Sequence, residues 1–324
     1  MRRLILLIAF LCLAGGANAD ERLRTYYRLK LAAAGVPVVL PYDPLAKYGQ
    51  VETPPKGRWS ISVLPVFGYD SNLNGGVPHD TVDINGLQFT VKEKDRAIAG
   101  LEAGLLARLG KEHFIAQGHR ISGSLSAQYE HALSHDIASK AATASACYHF
   151  DARNWTFAQA CLAAGLSMTE LSETHTQSAR VSIGRVLDYG KFPKSLQFGL
   201  SKTKSNEAEF TQIHANYNVN TERATFELGV TARVAGEGHS EDKATYLRLS
   251  RSVFGRPVSA VLRFSTASGS KFLGLPRTER TTSLSISLPL TSKIAFDLSY
   301  SETRSPLQYF QKKSLGANLV LTKF

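Results

Sequence analysis

Beyond residue 20 this sequence has no run of eighteen apolar residues, so it holds no segment able to cross a bilayer as a helix. Cysteine is scarce, with three in 324 residues. One of these, Cys12, sits in an N-terminal apolar stretch, and the other two, Cys147 and Cys161, are too few for a disulfide scaffold and spaced unlike a zinc site. The nine histidines show no metal-ligand spacing. His131, His135, His149, His175 and His214 are scattered over separate segments. His119 and Ser122 invite comparison with a membrane hydrolase, but they stand three apart where the pattern repeats every two residues, which puts them on opposite faces. No catalytic residue, cofactor or metal is expected, and nothing points to nucleic acid.

What is present begins with Arg2 and Arg3, then ten apolar residues from Leu4 to Leu13, then small residues ending in Ala17-Asn18-Ala19. That order is a secretory signal peptide over residues 1–19, with Asp20 as the first mature residue and Cys12 in the discarded part. Without it, 36 Lys and Arg (38 less Arg2 and Arg3) face 27 Asp and Glu, a surplus of nine. On an exported barrel such a surplus suits loop and lumen charges that meet lipid phosphates, including those of lipopolysaccharide. Residues 20–35 read as a short basic amphipathic helix with Asp20 as N-cap and Gly35 just past its end. Pro37, Pro41, Pro44, Pro54 and Pro55 then mark an extended linker to residue 57.

From Trp59 onward the period becomes two, the mark of strands with one apolar and one polar face. Leu284, Ile286, Leu288 and Leu290 alternate with Ser283, Ser285 and Ser287. Leu101, Ala103, Leu105, Ala107 and Leu109 alternate with Glu102, Gly104 and Arg108, interrupted by Leu106. The beat repeats to the C-terminus and predicts fourteen strands over residues 58–324. Connections read for the most part as alternately long and compact: 71–94, 168–176, 235–242, 267–279 and 302–311 as long outside loops, with two short outside ones near Ser134 and Ser205, and 110–112, 151–154, 189–193, 220–222, 255–256 and 291–292 as inner turns. A soluble β-sandwich also alternates, but it has shorter strands and buries its apolar face. The pattern predicts an all-β, closed antiparallel transmembrane barrel in the bacterial outer membrane. Phe324, as a terminal aromatic, is the residue the barrel assembly machinery would read.

Cys147 and Cys161 fall on consecutive strands. Tight pairing of Phe150 with Trp155 puts the sulfurs on opposite faces and a one-residue bulge puts them on the same face; both are open, with two free thiols the simpler reading. Glu102, Arg108, Glu130, Arg180, Glu227, Arg233, Arg263 and Asp297 fall on the polar face and are the candidate lumen charges. Asp70, Ser71 and Asn72 are turn-forming residues at the end of the first strand.

Tyr69-Asp70-Ser71-Asn72, the segment Gly86-Leu87-Gln88-Phe89-Thr90 and the entry from Arg96 to Gly100-Leu101 resemble the C-terminal barrel of surface lipoprotein assembly modifiers (Slam). The resemblance spans residues 58–324, with its specific part at about 69–101. It implies a fourteen-stranded barrel that helps deliver lipoprotein or other protein clients to the cell surface. Proteins of that family carry periplasmic tetratricopeptide helices before the barrel, where this sequence has only residues 20–57. A porin-like diffusion channel for small solutes and a closed structural or receptor barrel are the alternatives.

Overall fold

A computed structural model of the protein describes residues 21–40, 42–52, 57–84, 86–190, 192–221, 224–253, 256–291 and 294–321. Two helices come first, α1 over residues 21–33 and α2 at Tyr42–Lys47. The strands are β1 (Arg58–Asp70), β2 (Thr81–Ile84), β3 (Leu87–Thr90), β4 (Gly100–Ala116), β5 (His119–Ala132), β6 (Ala138–Asp151), β7 (Thr156–Thr169) and β8 (Ser172–Leu187). They continue as β9 (Lys194–Ser205), β10 (Ala208–Asn220), β11 (Ala224–Gly238), β12 (Ser240–Val253), β13 (Arg256–Phe272), β14 (Leu275–Pro289), β15 (Ile294–Arg304) and β16 (Lys312–Leu321). All but β2 and β3 form one closed antiparallel barrel of fourteen strands, β16 pairing back onto β1. This is the fold class that the two-residue period predicts.

Alternation explains which face is which. Ile61 and Leu162 are 76% and 65% exposed, and together with Leu105, Ile183, Phe198 and Phe264 they make an outward apolar belt. Such a belt is stable only in lipid. Trp59 with Lys111 and Tyr189 with Lys194 stack as cation–π pairs at one rim, with the cations 4.6 and 4.0 Å from the ring centroids. Inside, serine, threonine, glycine and asparagine predominate. Closing the sheet pairs the backbone of every strand with two neighbours, which is what a bilayer requires of a spanning chain. No described helix is long and apolar enough to cross a membrane.

The barrel strands run from 10 to 17 residues and reach past the predicted ends. Residues 168–176 shrink to a turn at 170–171, 235–242 to residue 239, and 267–279 to 273–274. Only 71–99 and 305–311 remain long at that end. Residues 110–112, expected as a turn, lie within β4, and the chain turns at Gln117 and Gly118 instead. The cause is common to all of these. Outside the bilayer both strand faces meet water, so the apolar beat stops while the hydrogen-bonded ladder continues.

The expected extended linker also contains a helix, α2, because Pro44 falls in its first turn, where a missing N–H costs nothing. Both helices end alike. Val36 N–H reaches Leu31 O and Gln50 N–H reaches Leu45 O, with Gly35 and Gly49 left-handed at φ 78° and 69°, the Schellman arrangement.

Cys147 and Cys161 are directly opposed on β6 and β7, with Cα atoms 4.1 Å apart, and form a disulfide. Phe150 pairs with Ala158, three residues beyond Trp155. That odd shift turns both sulfurs to the inner face and replaces the free-thiol reading.

Candidate functional site

The longest connection, 71–99, lies at the end opposite the chain termini, which marks that end as the outer mouth. The inner mouth is occupied by α1 and α2. Arg22 donates to Asp151 Oδ1 from Nη2 at 2.7 Å and from Nε at 3.1 Å, and its guanidinium lies 3.8 Å from the Phe157 ring centroid. Both partners are inward-facing residues of β6 and β7. Lys47 and the Tyr48 hydroxyl each donate to Glu21 Oε2 at 2.8 Å, and Lys47 stands 4.0 Å from Glu112 of β4. Arg120 of β5, 1% exposed, binds Glu112 at 2.8 Å. At the rim Tyr26 packs edge-on to Trp155 and Lys30 pairs with Asp188. Leu23 and Tyr48 are fully buried. The segment read as preceding the barrel is thus a plug seated inside it, against β4 to β8.

Electrostatics favours the seated state. Burial pushes the Glu21 carboxyl up, but the bond and charge of Lys47 and the bond from Tyr48 outweigh it, so its pKa is lowered. Burial first, then contact with Glu21, raises the Tyr48 phenol well above its usual range, and it stays a donor. At the rim the hydrogen bonds from Lys30 and Tyr26 lower the pKa of Asp188.

The outer mouth is crossed by the 71–99 connection, which folds over the opening. Val77, Val82, Ile84 and Val91 form a buried cluster packed on Phe272, Leu275 and Tyr309. Leu73 packs on Ala132, Ile137 and Ile98. The loop therefore touches the tips of β5 and of β13 and β14, on opposite sides of the ring. Asn74 fastens it, accepting from Gly76 N and Ile98 N and donating to Arg96 O at 2.7 Å. Arg96 pairs with Asp80 at 3.0 Å.

Between plug and lid, bulky inner side chains lie flat in recesses made by glycine on the adjacent strand. Tyr246 lies over Gly229, where a Cβ would come within 2.1 Å of its ring, and His214 lies over Gly199, also at 2.1 Å. Both side chains are thereby held against the wall. A closed barrel with an apolar belt outside and a polar chamber inside has one home. The chain is a bacterial outer-membrane β-barrel.

No family model and no curated protein matches the chain. Among solved structures it is similar to a BenF-like porin from Pseudomonas fluorescens Pf-5, at 8% identity over 82% of this chain and 99% of that one, TM-score 0.43. It is also similar to the outer membrane protein opdK from Pseudomonas aeruginosa, at 10% identity over 81% and 98%, TM-score 0.42, and to Acinetobacter baumannii OccAB4, at 10% identity over 84% and 98%, TM-score 0.43.

The eight lumen charges fall on the inner face. Glu102 and Glu130 are buried in the wall, and Arg108 lies within the field of Asp297. Arg180 donates to His214 at 3.0 Å, Glu227 receives Tyr246 and Arg248 at 2.7 and 3.1 Å, Arg263 pairs with Glu241, and Arg233 binds Ser240 at 2.7 Å and Asp242. They form separate local pairs and not one constellation. Of the family-like residues, Tyr69 faces lipid and Asp70 accepts from Asn72 N at 2.8 Å. Ser71 ties the loop to Leu315 of β16. Asn72 donates to Gly76 O, and Gly86 supplies the positive φ of the β2–β3 turn. Leu87, Phe89 and Thr90 are exposed. The first half of the motif anchors the loop to the barrel and the second half is its exposed hairpin. Residues 1–20 and Phe324 lie outside the described residues.

Two features escaped the sequence reading. The contacts of the plug with the wall join distant residues, Arg22 to Asp151 and Lys30 to Asp188 being 129 and 158 positions apart, for which no local signal exists. Ser122 does meet a histidine, but it is His149 of the neighbouring strand, at 2.8 Å, under the plug.

Proposed function

We propose that the protein is a gated transport barrel, shut at rest by the plug within and the lid outside, that opens to pass a protein client toward the cell surface. The observation that carries this reading is the plug, held by a buried Arg22–Asp151 pair whose side chains are 9% and 3% exposed. A permanently open diffusion pore gains nothing from a charge pair that fastens a helix in its inner mouth. A fourteen-stranded bore left open would leak small solutes, so a barrel serving large clients needs a closed resting state. The likeness of Tyr69–Asn72 and Gly86–Thr90 to the Slam barrel supports a lipoprotein as the client.

Planar-bilayer recordings test the gate. The intact protein is expected to conduct little, and variants lacking residues 21–50 or 75–88 to show large steady channels. Co-expression with a surface lipoprotein, read by protease accessibility on whole cells, tests the client. Large steady conductance from the intact barrel, with no effect on any co-expressed lipoprotein, would replace this reading by a small-solute pore.

A further inference from the structure

On β14 and β15 two arginines are direct cross-strand partners, Arg280 and Arg304. The adjacent pair, Thr281 and Thr303, is buried and shares a hydrogen bond of 2.9 Å on the inner face. Alternation therefore puts both guanidiniums on the outer, lipid-side face. Like charges directly opposite one another weaken a sheet. Arg304 leans on Glu302 at 3.0 Å, while no hydrogen bond or ion pair holds Arg280 among the described residues.

The cationic character extends sideways. Lys243 pairs with Thr266, Thr266 with Arg280 and Arg280 with Arg304, so one lateral row crosses β12 to β15. Lys313 of β16 opposes Glu302 and lies within its field. The row and Lys313 thus bring four cations to this face, of which Arg304 and Lys313 flank Glu302. Just below them, toward mid-membrane, the same face carries exposed Leu247, Phe264, Leu284 and Tyr300. The row stands at the outer edge of the apolar belt, at the level of the outer-leaflet headgroups.

We propose that this row is a binding site for lipopolysaccharide, with a lipid A phosphate held between Arg280 and Arg304 and acyl chains lying along the apolar face beneath. Charge complementarity selects the occupant. Guanidinium pairs bind phosphate oxygens through parallel N–H donors, which relieves their mutual repulsion. The position among lipid-facing residues calls for an anion attached to chains, and the outer end of the strands places it in the outer leaflet.

The test uses the full barrel extracted from outer membranes in mild detergent, with bound lipid read by native mass spectrometry. R280Q/R304Q/K313Q is expected to lose at least ten-fold of the bound lipopolysaccharide and to keep its heat-modifiable migration. R280K/R304K should retain part of it. K202Q/K204Q, which removes outward lysines on β9, should retain all of it. Delipidated wild-type barrel should rebind bisphosphorylated lipid A and leave the dephosphorylated form unbound. Undiminished lipid on the triple variant, equal loss from K202Q/K204Q, or equally tight rebinding of phosphatidylglycerol would each overturn the proposal.

Discussion

Arg22 and Asp151 stand 2.7 Å apart at the inner mouth although 129 residues separate them in the chain. Removing one member of a buried pair strands the other, at a cost of roughly 3–5 kcal/mol. Arg22→Ala should therefore unseat the plug and leave the barrel closed as a sheet. Limited trypsin digestion of the folded protein should then cut at Arg24, Arg28 and Lys30, while the exchanged pair Arg22→Asp with Asp151→Arg should regain resistance. Resistance unchanged in Arg22→Ala would mean that α1 is held by other contacts.

Acid should loosen the same seat. The Glu21 pKa is lowered from 4.5, so its contribution is fully present above pH 4.5 and is lost as pH falls through the lowered native value. Conductance of the intact barrel should rise in that acid window and stay flat from there to neutrality. Glu21→Gln should remove the step by holding the plug loosely at every pH.

Gly229→Val should push Tyr246 off the wall, because the new Cβ would fall 2.1 Å from its ring. The hydroxyl would lose Glu227 at 2.7 Å and Asn216 at 3.1 Å. Overpacking of this kind costs roughly 1–3 kcal/mol. A lower urea midpoint, read by heat-modifiable migration, is the expected result, and Gly123→Val on the lipid face of β5, where a Cβ meets nothing closer than 3.8 Å, should leave that midpoint unchanged.

Ile286 faces lipid and Ser285 faces the chamber. Ile286→Arg should cost about 2–4 kcal/mol in the bilayer, with Ser285→Arg much milder. Folding yield into lipid vesicles compares them directly, and equal yields would reverse the two faces.

The barrel was legible wherever lipid imposes alternation, as at Leu284, Ile286 and Leu288, and illegible where water bathes both faces, as at Glu173 and His175. The lid was half legible. Its apolar Leu73, Val77, Val82, Ile84, Leu87 and Phe89 predict burial, which the first four meet while Leu87 and Phe89 stay exposed, and Asn74, which holds the loop shut, looks like any turn asparagine. The plug was invisible because its partners, Asp151 and Glu112, announce themselves only once the ring has closed. Cys161 shows how little margin there is: its face follows from the pairing of Phe150 with Ala158 in place of Trp155, which ends the turn at a φ of 64°.

The disulfide has a consequence for how the ring is built. Along β6 and β7 the facing residues are largely alanine and serine, such as Ala142, Ala144, Ser145, Ala163 and Ala164, and small, uniform side chains discriminate poorly between neighbouring registers. A slip of one residue would turn each side chain to the wrong medium. The bond between Cys147 and Cys161 permits one alignment only. Bacterial periplasm is oxidising, so the bond can form before insertion and bring this alanine- and serine-rich hairpin to the membrane already in register.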